Sequence, residues 1–178
     1  ADRAGLTCDR FAWKNHIPDI VEINTSMDVR SGGAMKDAYH RSVAEMGGAP
    51  TKLHATADPP CAAHGIWNWG IFEPKPGHRQ GDIVVDRRLV AYIRFKRQGN
   101  LGIYTTLLGH GDYLQYGVMY RLHYAIMAWI GERGASEQPG LEYLLYGGIG
   151  DGNDGLKMWK RRCLYKPVKM ILRNRPEV

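Results

Sequence analysis

Residues 88–122 read RLVAYIRFKRQGNLGIYTTLLGHGDYLQYGVMYRL, and the order of patterns in them decides the fold. From 88 to 97 the residues alternate. Leu89, Ala91, Ile93 and Phe95 face one way, and Val90, Tyr92, Arg94 and Lys96 the other, the two-residue period of a strand. "QGN" at 98–100 makes a turn, and 101–109 runs back as an antiparallel partner. Past His110 the period changes: Val118, Leu122, Ala125, Ile126 and Trp129 form one apolar stripe of a helix over 116–133. A sheet therefore feeds a helix through a short polar turn.

Working outward, "GIWNWGIFE" (65–73) reads as a third strand of the same meander, separated from 88 by a polar loop. Upstream lies a Gly-, Pro- and Ala-rich loop over 47–65. Before it, "IPDIVEINTSM" (17–27) spaces Ile17, Ile20, Val21, Ile23 and Asn24 as a helix, with Pro18 suited to a first turn. "SGGAMKDAYHRS" (31–42) suggests a second short helix, and "CDRFAWK" an early strand. Downstream, 141–148 reads as a buried strand, 154–163 as a helix and 167–174 as a closing strand. The expected order is ααβββαβαβ. The expected class is α/β in the α+β sense.

A chain of 178 residues is the size of one domain, so residues 1–178 are expected to form a single unit. No stretch reaches the roughly 20 apolar residues that span a bilayer, and the charged opening "ADRAGLTCDR" lacks the apolar segment of a signal peptide, so no membrane association and a cytoplasmic location are expected. Three scattered cysteines, Cys8, Cys61 and Cys163, make no disulfide framework. The net charge of +6 is concentrated in residues 157–178, which hold eight Lys or Arg against the single acid Glu177. That segment suits a solvated face or a contact to phosphate, on a cofactor or on nucleic acid.

Gly150-x-Gly152-x-x-Gly155 has the form of a dinucleotide fingerprint, but a second parallel strand ending in an acid about 20 residues on is also required, and only 23 residues follow Gly155, with Glu177 their sole acid. Cys61-x-x-His64, with His54 and Asp58 nearby, offers zinc-ligand types without a second pair at finger spacing, and "DGNDG" misses the calcium-loop pattern. No metal site is expected. His110 and Asp112, where the second meander strand ends, suit a general base or a polar cap of the turn.

Two stretches carry a resemblance. "HGDYLQYGVMYRL" (110–122) resembles the HPxYxxxGxG passage of the GNAT acyltransferases. Gly117 falls on the central glycine of their Q/R-x-x-G-x-G/A loop, while Leu114 and Met119 stand where Gln or Arg and Gly or Ala are usual. "GLEYLLYGGIGDGNDGLKMWKRRCLYKP" (140–167) resembles the C-terminal half of Fem-type aminoacyl transferases. There a strand ending in Y-x-x-G-G leads to G-L-x-x-F-K-x-x-F-G; Tyr146, Gly147 or Gly148, Gly155, Leu156, Trp159 and Lys160 take those places. Ordinary GNAT members often carry a general-acid Tyr at the position that is Lys160 here. The matches span about residues 88–170.

The resemblance implies a GNAT-like mixed, mostly antiparallel central sheet flanked by helices. It implies an N-acyltransferase that takes acetyl-CoA or another acyl-CoA, with backbone amides at Tyr116, Gly117 and Val118 on the pyrophosphate. The substrate is then an amine; His110 or Asp112 accepts its proton, and Lys160 meets the developing oxyanion or a phosphate. Two alternatives stand beside it. One is an aminoacyl-tRNA-dependent or nucleic-acid-binding protein that uses segment 157–178, and the other is an inactive GNAT-like interaction domain.

Overall fold

The computed structural model describes residues 1–30, 33–148 and 152–170. In chain order the elements are β1 (Thr7–Arg10), α1 (Ile17–Thr25), β2 (Val29–Arg30), β3 (Gly33–Ala34), β4 (His64–Pro74), β5 (Arg79–Gln80), β6 (Ile83–Val84), β7 (Arg87–Gln98), β8 (Leu101–Gly109), α2 (Val118–Glu137), β9 (Tyr143–Leu145) and α3 (Asp154–Arg162). The main sheet runs β1-β4-β7-β8-β9. Its pairs are antiparallel except β8–β9, which is parallel. The mixed, mostly antiparallel sheet expected from the sequence is therefore present.

The β4–β7–β8 meander is the part that local pattern dictates. Its centre is buried on both faces, with Ile71, Phe72, Ile93 and Phe95 withdrawn from solvent. Burying each such side chain contributes about 1.5–3 kcal/mol. On one face Trp67, Trp69 and Phe95 gather around Trp129 of α2, with ring centroids 5.6–6.1 Å apart. On the other, Ile20 and Ile23 of α1 pack with Phe72, Leu89 and Tyr92.

Simple alternation fails at one place in β7. The register passes from Ile71↔Ala91 to Phe72↔Leu89, which leaves Val90 as an extra residue. Leu89 thereby joins Tyr92 on the α1 face, whereas Val90 joins Ala91 and Ile93 in the α2 cluster. A bulge puts two residues opposite one, so the parity counted from the sequence inverts across it. A second irregularity, between Arg94↔Thr106 and Phe95↔Tyr104, makes Thr105 the extra residue of β8.

Other expectations are corrected. The second short helix over 31–42 is absent from its described part: β2 and β3 form a small hairpin closed by Met35 N–H to Asp28 O (2.9 Å), followed by a 3-10 turn at Asp37–Tyr39. One glycine of that segment, Gly33, has φ +104, a conformation that ends regular structure cheaply. The polar loop before β7 contains the β5–β6 hairpin. Strand 141–148 shrinks to three paired residues. Residues 167–170 are not in a strand, and 171–174 of the expected closing strand lie outside the described residues.

Asp19 of α1 joins the helix to the sheet. It is 2% exposed; its Oδ2 accepts from Leu89 N–H (2.9 Å) and lies 3.3 Å from His16 Nδ1, while Oδ1 lies 2.9 Å from His78 Nε2. Burial alone raises a carboxyl pKa, but the bonds from His16, Leu89 and His78 outweigh it and hold Asp19 below its ordinary value. A group with a depressed folded pKa contributes stability above its unfolded pKa, near 3.9, and loses that contribution as pH falls through the folded value. Asp19→Asn is expected to be less stable at pH 7, with a flatter decline in acid. Urea midpoints at pH 7, 5 and 3 test this: parallel curves for the two proteins would refute it.

Candidate active site

β8 ends at Gly109, and the chain turns through a 3-10 segment, Gly111–Tyr116, into α2. His110 caps that segment, its Nδ1 accepting from Asp112 N–H (3.3 Å). In the neutral ring the proton then sits on Nε2, which lies 4.0 Å from Glu22 Oε1. Asp112 is largely exposed, its Oδ2 3.8 Å from His110 Nδ1. The sequence-derived pair is thus together, and His110 performs the capping role.

Around them stand residues that motif reading missed. Arg88 Nη2 donates to Glu22 Oε1 (2.5 Å), and Arg88 Nη1 donates to Tyr113 Oη (3.4 Å). Burial disfavours the Arg88 cation, yet Glu22 and its neighbours raise its pKa on balance. Burial and Glu73 together push the Tyr113 phenol up. No spacing rule links Glu22, Glu73 and Arg88; they meet because α1, β4 and β7 converge at this corner.

Gly117 closes the turn at φ 68°, ψ 28°, its N–H bonded to Leu114 O (3.1 Å). That left-handed conformation is one a glycine adopts without steric cost, and the space where a Cβ would stand is open. The first backbone bond of α2 runs from Arg121 N–H to Gly117 O (3.1 Å). Among the described residues this leaves the N–H groups of Val118, Met119 and Tyr120 without backbone acceptors, at the positive end of a 20-residue helix. The Val118 side chain is buried, so it offers only its backbone, while Tyr116 is exposed. Met119 folds back over the strand end: a Cβ on Gly109 would come 2.8 Å from its Sδ.

β9 pairs with β8 only at Leu101↔Tyr143, Gly102↔Leu144 and Ile103↔Leu145. Beyond that, β8 continues to Gly109 without a strand on this edge among the described residues. Tyr104 and Tyr146 stand where the strands part, ring centroids 6.1 Å apart, backed by Trp159, Tyr165 and His123. Tyr104 Oη lies 3.1 Å from His123 Nδ1. Burial lowers the His123 pKa, more than the bond to Cys163 restores, and raises that of Tyr104.

Lys160 belongs to this second group. Asn153 caps α3, accepting from Gly155 N–H (3.0 Å) and Leu156 N–H (3.4 Å), and the helix carries Lys160 to Gly148 O (2.8 Å) and over the Tyr146 ring (5.4 Å). Among the described residues no hydrogen bond or ion pair joins Lys160 to His110 or Asp112. The glycine-rich run links β9 to α3; Gly147 and Gly152 take positive φ, and Gly150 of the formal fingerprint lies outside the described residues. Cys61 and His64 pair at 3.5 Å, Asp58 engages Arg10 and Trp67, and the described residues gather no group of three or more metal-ligand types. No described helix is long and apolar enough to cross a membrane.

Neither a protein-family model nor a curated protein matches the chain. Solved structures do. The chain is similar to AAC(6')-Iy, solved in complex with the bisubstrate analog CoA-S-monomethyl-acetylneamine, with 10% identity over 97% of this chain and 99% of that one and a TM-score of 0.50. It is also similar to a Trypanosoma brucei acetyltransferase (13% identity, 96% and 99% covered, TM-score 0.49) and to a GNAT-family acetyltransferase from Streptococcus pneumoniae TIGR4 (11%, 96% and 98%, 0.45). At such identities the likeness concerns the fold, which is GNAT-like: a mixed, mostly antiparallel sheet flanked by helices.

Proposed function

We propose that residues 1–178 act as one N-acyltransferase domain, moving an acyl group from acetyl-CoA or another acyl-CoA to an amine. The observation that carries this reading is the open edge of β8 leading directly into the Gly117 turn and the N-terminus of α2. An extended donor with amides along its arm and a pyrophosphate at one end matches both halves: strand-edge groups for the amides, unpaired N–H groups for the phosphate. The solved neighbour with a CoA-containing bisubstrate analog supports the choice of donor, since it shares the fold.

Tyr116, Gly117 and Val118 would hold the phosphate, and the open edge of β8 back to Tyr104 and Thr105 would receive the arm. Lys160 and Tyr146 lie on that side, so Lys160 is the cation for the oxyanion. His110 and Asp112 stand on the turn. The neutral amine would attack the carbonyl, the carbon–sulfur bond would break with the thiolate leaving, and the proton given up by the amine would pass to water at the open edge.

The two groups should separate kinetically. Lys160→Ala is expected to lower kcat about 100-fold, as loss of an oxyanion donor does. His110→Ala, which removes a cap worth about 1 kcal/mol, should raise KM for acetyl-CoA about fivefold and leave kcat within about twofold. A large kcat loss in His110→Ala would make it the base instead. Unchanged turnover in both variants would refute the assignment. Calorimetric titration with acetyl-CoA tests the donor itself; if it fails to bind, a tRNA-borne donor reaching the exposed Arg161 and Arg162 on α3 is the next ligand to titrate.

A further inference from the structure

Apolar spacing accounts for how α1 is buried, but a polar series from the same segment reaches the corner between β8 and the turn. Asp19, Glu22 and Ser26 are three and four residues apart, hence on one helix face. Asp19 bonds Leu89 N–H, and Glu22 bonds Arg88 beside His110. Ser26 Oγ accepts from Gly111 N–H (3.0 Å). Just past the helix, Arg30 Nη1 donates to Gly109 O (2.6 Å), and Nη2 donates to Ile23 O (2.6 Å) and Ser26 Oγ (3.1 Å).

His110 is thus held on both sides. Gly109 before it is bonded through its carbonyl and Gly111 after it through its N–H, while His110 N–H itself bonds Val90 O (2.8 Å). Arg30 also stands at the C-terminal end of α1, where the last carbonyls favour a cation. Gly111 is pressed close to the same helix end: a Cβ there would fall 2.9 Å from Met27 Cγ and 3.4 Å from Ser26 O. By contrast, Asp112 and Gln115 further along the turn are exposed.

We propose that Arg30 and Ser26 are positioning residues for the turn 110–117, setting the affinity for the phosphate-bearing donor through the backbone of Gly109 and Gly111 without touching the donor. This rests on the reading of the turn as the donor-phosphate site. The physical basis is the precision that such a site needs: a misplacement of about 1 Å can cost about 100-fold.

The experiment compares Arg30→Met, Arg30→Lys, Ser26→Ala and Ser26→Thr with the wild-type chain by amide hydrogen exchange and by acetyl-CoA calorimetry. Arg30→Met should raise exchange over 109–117 at least about tenfold while the centres of β4 and β7 keep their protection, and should weaken acetyl-CoA binding at least about tenfold. Arg30→Lys should recover part of both effects, because one carbonyl can still be reached. Ser26→Thr should behave as wild type and Ser26→Ala as a milder Arg30→Met; the Ser26 pair decides the matter if Arg30→Met does not fold. Unchanged exchange over 109–117, an equal rise in exchange everywhere, or unchanged acetyl-CoA affinity in the folded variants would overturn the proposal. A wild-type protein that does not bind acetyl-CoA would overturn the donor assignment instead, and the local exchange pattern would then decide the role of Arg30 alone.

Discussion

Arg97→Met is expected to lower the unfolding free energy by about 3 kcal/mol or more, a large share of the roughly 5–15 kcal/mol that a domain possesses. Arg97 is 2% exposed, and each of its three guanidinium nitrogens donates a bond: Nε to Gly99 O (2.7 Å), Nη1 to Gln138 Oε1 (3.1 Å) and Nη2 to Pro139 O (2.5 Å). These bonds tie the β7–β8 turn to the segment that leads from α2 into β9. Methionine keeps much of the apolar stem but loses two charge-assisted bonds to the part-buried Gly99 and Pro139 carbonyls and leaves the buried Gln138 Oε1 without its donor. Each unsatisfied buried group costs about 1–3 kcal/mol. Because β9 is held by only three paired residues, its placement beside β8 should loosen too. Urea unfolding measures the effect, and a loss below about 1 kcal/mol would show that the three acceptors find other partners.

Gly117→Val is expected to abolish measurable acetyl-CoA binding, a loss of about 100-fold or more, while the protein still folds. Two effects combine. A left-handed φ of 68° costs an L residue about 1–2 kcal/mol, and a β-branched one more, so the turn shifts toward an ordinary conformation. The added side chain would also occupy the open space beside the unpaired N–H groups of α2. Gly117→Asn separates the two, because asparagine tolerates the left-handed region. Binding retained in Asn and lost in Val would assign the effect to backbone conformation; loss in both would assign it to side-chain volume. Calorimetry with acetyl-CoA reads both, and wild-type affinity in Gly117→Val would remove the turn from the donor site.

Much of the frame was legible because its signals are local. The two-residue period over 88–97 and 101–109 and the helical stripe from Val118 to Trp129 need only neighbours along the chain, and each appears as an element near the expected bounds. Gly117 was legible only through the resemblance: the helical pattern included it from residue 116, whereas the structure makes it a left-handed cap and starts α2 at Val118. The failures have physical causes as well. Segment 31–42 shows helical spacing but is short and opens on two glycines, too little to offset helix nucleation, and Met35 and Tyr39 pack on the α1 cluster without an α-helix. The parity of β7 inverted because one unpaired residue, Val90, is invisible to a periodicity count.

The candidate site divides along the same line. Local pattern placed the strand–turn–helix passage, with His110 and Asp112 on the turn and Lys160 on a helix, because these follow from apolar spacing within a few residues. It began the long helix at 116, two residues before the Val118 start that the Gly117 cap sets. Only the tertiary structure decided that β9 lies parallel to β8 over three residues and leaves the rest of its edge open, that His110 and Lys160 fall into separate groups, and that Ser26 and Arg30 hold a turn about 80 residues away along the chain. Those outcomes depend on contacts between segments far apart in sequence, whose loop-closure cost and mutual packing leave no periodic trace in either segment alone.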